Sequence, residues 1–533
     1  MTSALSLRRW FWTALAIVLA FRLWLAWWLP ITGDEAYFIT WARAPDLGFY
    51  DHPPMIGWVL AALLKVSQST LWLRLPSVLL PAVMAVGMLV LIRALVQKNI
   101  DAERIACAGA LTWMLVPAQV INVLVTTDTP LILFSAMAMA AFVVAVRHDS
   151  PAWYAAAGMA LGLAFLSKYF ALLVGFAFAA FAMASTLARD PLAPRVWRGL
   201  AVTGLAAIPF ALVNLGWNYN HCWSNVLFNV YNRHGDAGFE WRRPVEFAAS
   251  VIYLSSPILL WQLARERAAL RSAVASREWR LFATLALAPL AVFAVIAPFR
   301  DVGLHWLLAF MPALFAAGAI ALGADRLLTS VKYLAILSAA HVALVVTVAA
   351  LPIETFQGLR QYNSIVQAAK ARELLAALKV YEGKYLFAAN SFSRASRLSY
   401  EAALANFVAQ PRAPEAWRRH YVFVLGSTSH NGRHDDILTD LRSLEGRDVL
   451  VVRRDPADRR QYQRWFRTVD LRDIQIRGTT FHIVLGHGFD FGAYRDSLLA
   501  EVRDRFYRVP KLLNRGQCYY CQRYFGTQTC PLR

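Results

Sequence analysis

The chain has 533 residues, of which 58% are apolar, 13% aromatic and only 17% charged. Soluble domains run near a quarter charged, so this balance excludes an ordinary soluble enzyme, a disordered tail protein and a small disulfide-stapled scaffold. A net charge of +20 would raise nucleic acid as a partner, but the basic residues sit between long apolar runs and in a charge-rich C-terminal third, where residues 353–533 hold 29 basic and 18 acidic side chains. The pattern is that of a polytopic membrane protein with a basic soluble tail.

In chain order, eleven apolar runs of about 17–22 residues are long enough to cross a bilayer at about 1.5 Å per residue. They lie near 10–30, 76–96, 105–122, 129–146, 152–168, 170–188, 199–216, 246–263, 281–298, 306–323 and 333–352. The first ends in Trp24, Trp27 and Trp28, which suits an interface, and no small-residue cleavage site follows, so it reads as a retained span. With the N-terminus inside, 16 basic residues collect on the cytoplasmic side against 9 on the other. An odd number of spans then places the tail outside. The expected organisation is a membrane domain over 1–352, with outer loops 31–75 and 217–245, and a periplasmic α/β domain over 353–533.

Polar clusters punctuate the outer ends. Gly33-Asp34-Glu35-Ala36-Tyr37 follows the first span, where paired carboxylates serve either as the first turn of a solvated helix or as a site. Phe49-Tyr50-Asp51-His52-Pro53-Pro54 comes next, its double proline fixing an extended backbone. Thr126-Thr127-Asp128-Thr129-Pro130 and Leu166-Ser167-Lys168-Tyr169 stand at the ends of the third and fifth spans. The second loop adds His221, Arg233 and His234, and a later turn adds Arg300 and His305. Each alone reads more readily as a satisfied interfacial residue. Gathered on one face, they form a set of acids, cations and aromatic platforms suited to a sugar phosphate whose lipid tail lies in the bilayer.

In the tail the apolar period shortens. Runs at 385–387, 421–425, 449–452 and 481–485 read as strands, alternating with helical stretches near 359–380, 391–408, 434–444 and 494–507, which predicts a small α/β domain. Gly426-Ser427-Thr428 after a strand reads as an ordinary strand-to-helix turn rather than a phosphate loop. Cys518, Cys521 and Cys530 near the chain end, with Cys222 in an outer loop, suit structural disulfides in an oxidising compartment better than a zinc site, which wants a further ligand pair. Outside the membrane, the tail's basic excess would gather anionic envelope lipid; the bland alternative is a solvated charged surface. Nucleic acid has no place there.

The clusters resemble, in content and order, those of the bacterial branch of the dolichyl-phosphate-mannose protein mannosyltransferase-like family. These are membrane-embedded C-type (GT-C) glycosyltransferases that include the aminoarabinose transferases of lipid A. Asp34-Glu35-Ala36-Tyr37, Phe49 to Pro54, Thr126 to Pro130 and Leu166 to Tyr169 carry the resemblance, which covers roughly residues 10–350. The aminoarabinose branch has Glu-Lys-Pro where this chain has Asp51-His52-Pro53, and histidine is a weaker, pH-dependent phosphate ligand.

The resemblance implies about eleven transmembrane helices and transfer of a sugar from a polyprenyl-phosphate donor to an envelope acceptor at the outer face of the inner membrane. That acceptor would be lipid A or lipopolysaccharide, another glycolipid, or a protein. It implies Asp34 and Glu35 as the catalytic carboxylates, with Asp34 the acceptor's base. Lys168, Arg233, His52 and Arg300 would stabilise the departing phosphate, and Asp128, Asp51, Tyr37, His221, His234 and His305 would contact acceptor or sugar. Asp34, Glu35 and Asp128 could hold Mg²⁺ or Mn²⁺. A transporter or flippase of a lipid-linked sugar is the competing class, but it would place paired repeats and broken helices near mid-bilayer rather than charge at one face.

Overall fold

The computed structural model describes the whole chain except residues 1, 2, 98, 233–237, 412, 427–431, 514, 515 and 533. It divides into two compact units: one made of Met1–Trp28, Leu73–Leu212 and Asp236–Ala350, the other of Leu29–Trp72, Val213–Gly235 and Leu351–Arg533. The first loop and part of the second therefore share a unit with the tail.

The first unit is helical. Each of the eleven apolar runs falls on a helix or a helix pair. By length and composition, six of the described helices can cross a membrane: Ala4–Trp28, Thr70–Leu95, Asp128–His148, Ala193–Asn220, Arg277–Ile296 and Ala324–Ala350. The runs at 152–168, 170–188 and 306–323 form shorter apolar helices, Pro151–Phe165, Ala171–Leu187 and Met311–Leu322. The eighth run departs from a straight span. It breaks into Arg242–Ser255 and Pro257–Arg265, bent by 86°. The cause is local: Ser256 has φ 68°, and Pro257 cannot donate the next helical hydrogen bond.

Small residues set the close packing of this unit. Gly158 and Gly162, four apart on one face of a helix, meet Ala193–Asn220 so closely that an added Cβ would stand 2.2 Å from the Thr203 carbonyl oxygen and 2.2 Å from the Phe210 ring. Membrane helices associate through such small-residue contacts because lipid supplies little hydrophobic drive between them. Deeper in, Phe142 stacks on Phe178 at 4.0 Å.

The second unit is built on a five-stranded sheet: β1 (Leu386–Ala389), β2 (Phe423–Val424), β3 (Val449–Arg453), β4 (Phe466–Ile476) and β5 (Thr479–Phe489), in the order β2-β1-β3-β5-β4. β1 is parallel to β2 and β3, and the β4–β5 hairpin joins antiparallel to β3. Both faces are covered. Leu386, Ala388, Val449, Val451 and Val484 pack into one core, and Phe387, Ala389, Leu450, Val452 and Ile483 into the other. Burial on both faces explains why these strands read as continuous apolar runs.

β4 lies outside the expected strands. It carries Arg467, Asp470, Arg472 and Asp473, all exposed, as befits an edge strand that must not pair with another chain. Its turn into β5 is Arg477-Gly478, both with positive φ (50° and 79°), the geometry of a two-residue hairpin turn. The first-loop helix Gly33–Arg43 packs on Phe392–Leu404, the helix after β1, and an added Cβ on Gly33 would overlap the Ser393 hydroxyl.

Candidate active site

Within the second unit, Gly33–Arg43 begins with a capping box. The Thr32 hydroxyl accepts from the Glu35 N–H, and Glu35 Oε2 accepts from the Thr32 N–H at 3.0 Å and from its hydroxyl at 3.1 Å. Glu35 is fully buried, so its carboxylate serves the helix start, the structural alternative to the expected catalytic role. Asp34, in the same turn, is exposed, and among the described residues it has neither a hydrogen bond nor an ion pair.

Asp51 and Tyr37 come together. The Tyr37 hydroxyl donates to Asp51 Oδ1 at 3.2 Å, and Arg433 Nη1 donates to Asp51 Oδ2 at 2.9 Å. The His434 N–H donates to the Tyr37 hydroxyl at 3.0 Å. Burial pushes the Asp51 carboxyl up, with Arg433 opposing, and burial beside Asp51 pushes the Tyr37 phenol well up. Arg433 has φ 55° and lies over the faces of Phe392 (3.9 Å) and Phe228 (5.1 Å). Such strain in a non-glycine residue persists only where its surroundings fix it. Asn229 and Asn225 donate to the backbone carbonyls of Asp51 and Phe49, both at 2.9 Å.

His52 is half-buried, its ring 6.5 Å from Phe38 and 6.2 Å from Trp41. His221 stacks on Trp217 at 4.3 Å, shares a hydrogen bond with the Trp217 carbonyl and stands 3.8 Å from Asp46. It buttresses the loop. Arg233 and His234, like Ser427 and Thr428, lie outside the described residues.

In the first unit, Lys168 has a protein partner. Its Nζ donates to both Asp128 oxygens, at 2.8 and 3.0 Å, and sits 5.2 Å from the Phe170 ring. Both side chains are about one-tenth exposed. His305 Nε2 lies 4.0 Å from Asp128 Oδ2, and half-buried Arg300 occupies the turn after Arg277–Ile296. Asp128, Lys168 and His305 thus meet, although they stand in three separate motifs.

The partners that sequence reasoning missed are Arg433, His434, Asn225 and Asn229. The two asparagines carried a signal, four apart on one helical face, whereas Arg433 stands 382 residues from the carboxylate it holds.

Around His434 the second unit holds two further acids, Asp435 buried and Asp436 half-buried. Asp435 accepts from the Tyr421 hydroxyl and the Val424 N–H, and Asp436 from the Tyr507 hydroxyl. Burial pushes Asp435 up to about 6 and Asp436 up to about 7, and pushes His434 down to about 3. A carboxyl raised in the fold keeps its proton after the unfolded chain has lost it, so its contribution to stability falls as pH rises toward the folded value. His434 acts oppositely, since the unfolded imidazole takes up a proton below its ordinary 6.5 while the folded one does not. Between about pH 4.5 and 6 the raised carboxyls outweigh the one imidazole, so stability should fall as pH rises. Asp436→Asn should flatten that slope in thermal melts; an unchanged slope assigns the protons elsewhere.

Four cysteines pair as Cys222–Cys518 and Cys521–Cys530, leaving buried Cys107 free. The Cys518, Cys521 and Cys530 sulfurs all lie within 4.8 Å of one another, a spacing open to a metal ion, but all three are committed to disulfides.

Residues 51–217 match the family model for dolichyl-phosphate-mannose-protein mannosyltransferase. The chain is 32% identical over 262 residues to lipid A galacturonosyltransferase RgtD of Rhizobium johnstonii, covering 47% of this chain and 53% of RgtD. It thus spans about half the length of the curated relative it matches. The fold is similar to crystal structures of ArnT from Cupriavidus metallidurans. The form bound to undecaprenyl phosphate has a TM-score of 0.57 at 16% identity, covering 89% of this chain and 98% of ArnT. The apo form gives 0.55 at 16% identity, covering 90% and 98%. With that fold and its apolar helices, the chain is a multi-pass membrane protein.

Proposed function

We propose that this chain is a GT-C membrane glycosyltransferase of the dolichyl-phosphate-mannose protein mannosyltransferase-like family, and that it moves a sugar from a polyprenyl phosphate to an envelope acceptor of the lipid A or lipopolysaccharide kind. The observation that carries the mechanism is the condition of the four motif carboxylates. Glu35 is held in a cap, Asp51 by Arg433 and Asp128 by Lys168, whereas Asp34 stands exposed and unpartnered among the described residues.

In this reading an acceptor hydroxyl loses its proton to Asp34 as its oxygen bonds to the anomeric carbon. The carbon–oxygen bond to the donor phosphate breaks, and polyprenyl phosphate leaves as an anion. Lys168 steadies that anion, with Arg300, His52 and Arg233 as further cations and Tyr37, His221, His234 and His305 as sugar or acceptor contacts. Of the three carboxylates considered for Mg²⁺ or Mn²⁺, Glu35 Oε2 and both Asp128 oxygens are already engaged. That donor set fits a divalent cation poorly, and no step is routed through one.

The reading places the reaction on the outer face of the inner membrane, with the tail periplasmic. A reporter fused after residue 360 should be active only outside the cytoplasm, and cytoplasmic activity would overturn that placement. The function is tested by mass spectrometry of lipid A, lipopolysaccharide and envelope proteins from cells with and without the gene. One acceptor should lose one sugar. A lipid-linked sugar accumulating on the inner leaflet, with the purified chain inert toward every acceptor, would indicate a flippase instead.

A further inference from the structure

Arg22, within the first apolar helix, is 1% exposed, yet no carboxylate pairs with it among the described residues. A charge so placed is costly unless every donor is satisfied. All five donors are directed at backbone carbonyls. Nε donates to Val78 at 3.0 Å, Nη1 to Gln119 and Val120, and Nη2 to Ser77 and Asn122.

Three of these carbonyls close the short helix Pro117–Ile121, whose last carbonyls have no partner within the helix. From Asn122 the chain runs without helix to Thr127 and then starts the helix that opens with Asp128. Ser77 binds that stretch from the side. Its hydroxyl donates to the Leu124 carbonyl at 2.9 Å and meets the Thr129 hydroxyl at 2.8 Å. The Thr126 N–H donates to the Thr129 hydroxyl, and the Asp128 N–H to the Thr126 hydroxyl.

We propose that Arg22 is a positioning residue, a five-pronged staple that fixes the Asn122–Thr127 segment and, through Ser77 and Thr129, sets the Asp128 carboxylate against Lys168. Its consequence for catalysis rests on the reading above, in which Lys168 steadies the donor phosphate. Only guanidinium fills the position, because an ammonium offers three donors and cannot span two backbone segments in one plane.

Two variants of the full-length protein test this. Arg22→Lys keeps the charge and loses prongs. Ser77→Ala leaves Arg22 in place and removes the link to Leu124 and Thr129. Each lost hydrogen bond is worth several-fold, so the KM for the polyprenyl-phosphate sugar should rise about tenfold in both, with the acceptor KM within about twofold of wild type. A general structural defect would instead lower the active fraction and leave both KM values alone. Equal shifts in both KM values, or none in either variant, overturn the proposal.

A second measurement does not depend on transfer. Labelling of the Lys168 amine by an acylating reagent, followed by mass spectrometry, should be slow in the wild type and about tenfold faster in both variants. Unchanged labelling refutes the staple. Faster labelling in a chain that transfers no sugar keeps the staple and rejects the functional reading.

Discussion

Asp34→Asn should lower kcat by about 10²–10⁴-fold while donor binding stays near wild type. The substitution keeps the size of the side chain and its place in the first helical turn. Because Asp34 is exposed and its neighbour Glu35 supplies the cap, removing its charge breaks no observed contact. Expression and melting temperature should therefore stay within ordinary scatter. That separation makes the test sharp, since the rate should collapse in a protein that is otherwise intact. Near-normal turnover would remove Asp34 from the chemistry and leave the motif as a helix start.

The second large effect concerns Asp128 and Lys168. Their oxygens and ammonium meet at 2.8 and 3.0 Å with both side chains about one-tenth exposed, so removing either partner strands a buried charge. Lys168→Met alone should cost about 3–5 kcal/mol of stability. The double variant Asp128→Leu/Lys168→Met should regain most of that, because an apolar pair replaces a buried ion pair with little loss. Its activity should not return, because the cation proposed to steady the leaving phosphate is gone. Detergent-solubilised melts read the first half and sugar transfer the second. A double variant as unstable as the single one would deny the pair its structural weight, and an active double variant would deny it any part in the reaction.

Much of the fold was legible because the bilayer imposes long apolar runs, and each of the eleven expected runs falls on a helix or a helix pair. The bend at Ser256 was hidden because it depends on one residue adopting positive φ, which apolarity does not encode. β4 was hidden for the opposite reason: an edge strand faced by solvent carries charge, and charge reads as loop. In the motif segments, the sequence displays the carboxylates but not what each of them touches. Glu35 stands three residues after Thr32, so its cap is a local pattern that sequence can suggest. The partners of Asp128 and Asp51 lie 40 and 382 residues away, and only the folded chain brings them together. Arg22 drew no notice, because one cation inside an apolar run looks like an interruption until its five carbonyls are seen.

The bond between Cys222 and Cys518 bears on how the protein is made. Its cysteines are separated by 296 positions, and the last four of the eleven apolar helical runs lie between the two. A ribosome that has released the second loop must therefore still thread all of those helices and nearly the whole tail before Cys518 emerges. Until then Cys222 has no partner. Under the proposed periplasmic placement, oxidation at that site records that synthesis and export have both reached the helix Tyr519–Phe525. On the same placement, a chain halted earlier carries Cys222 as a reactive thiol, which a maleimide reagent applied from outside the cell would tag as unfinished.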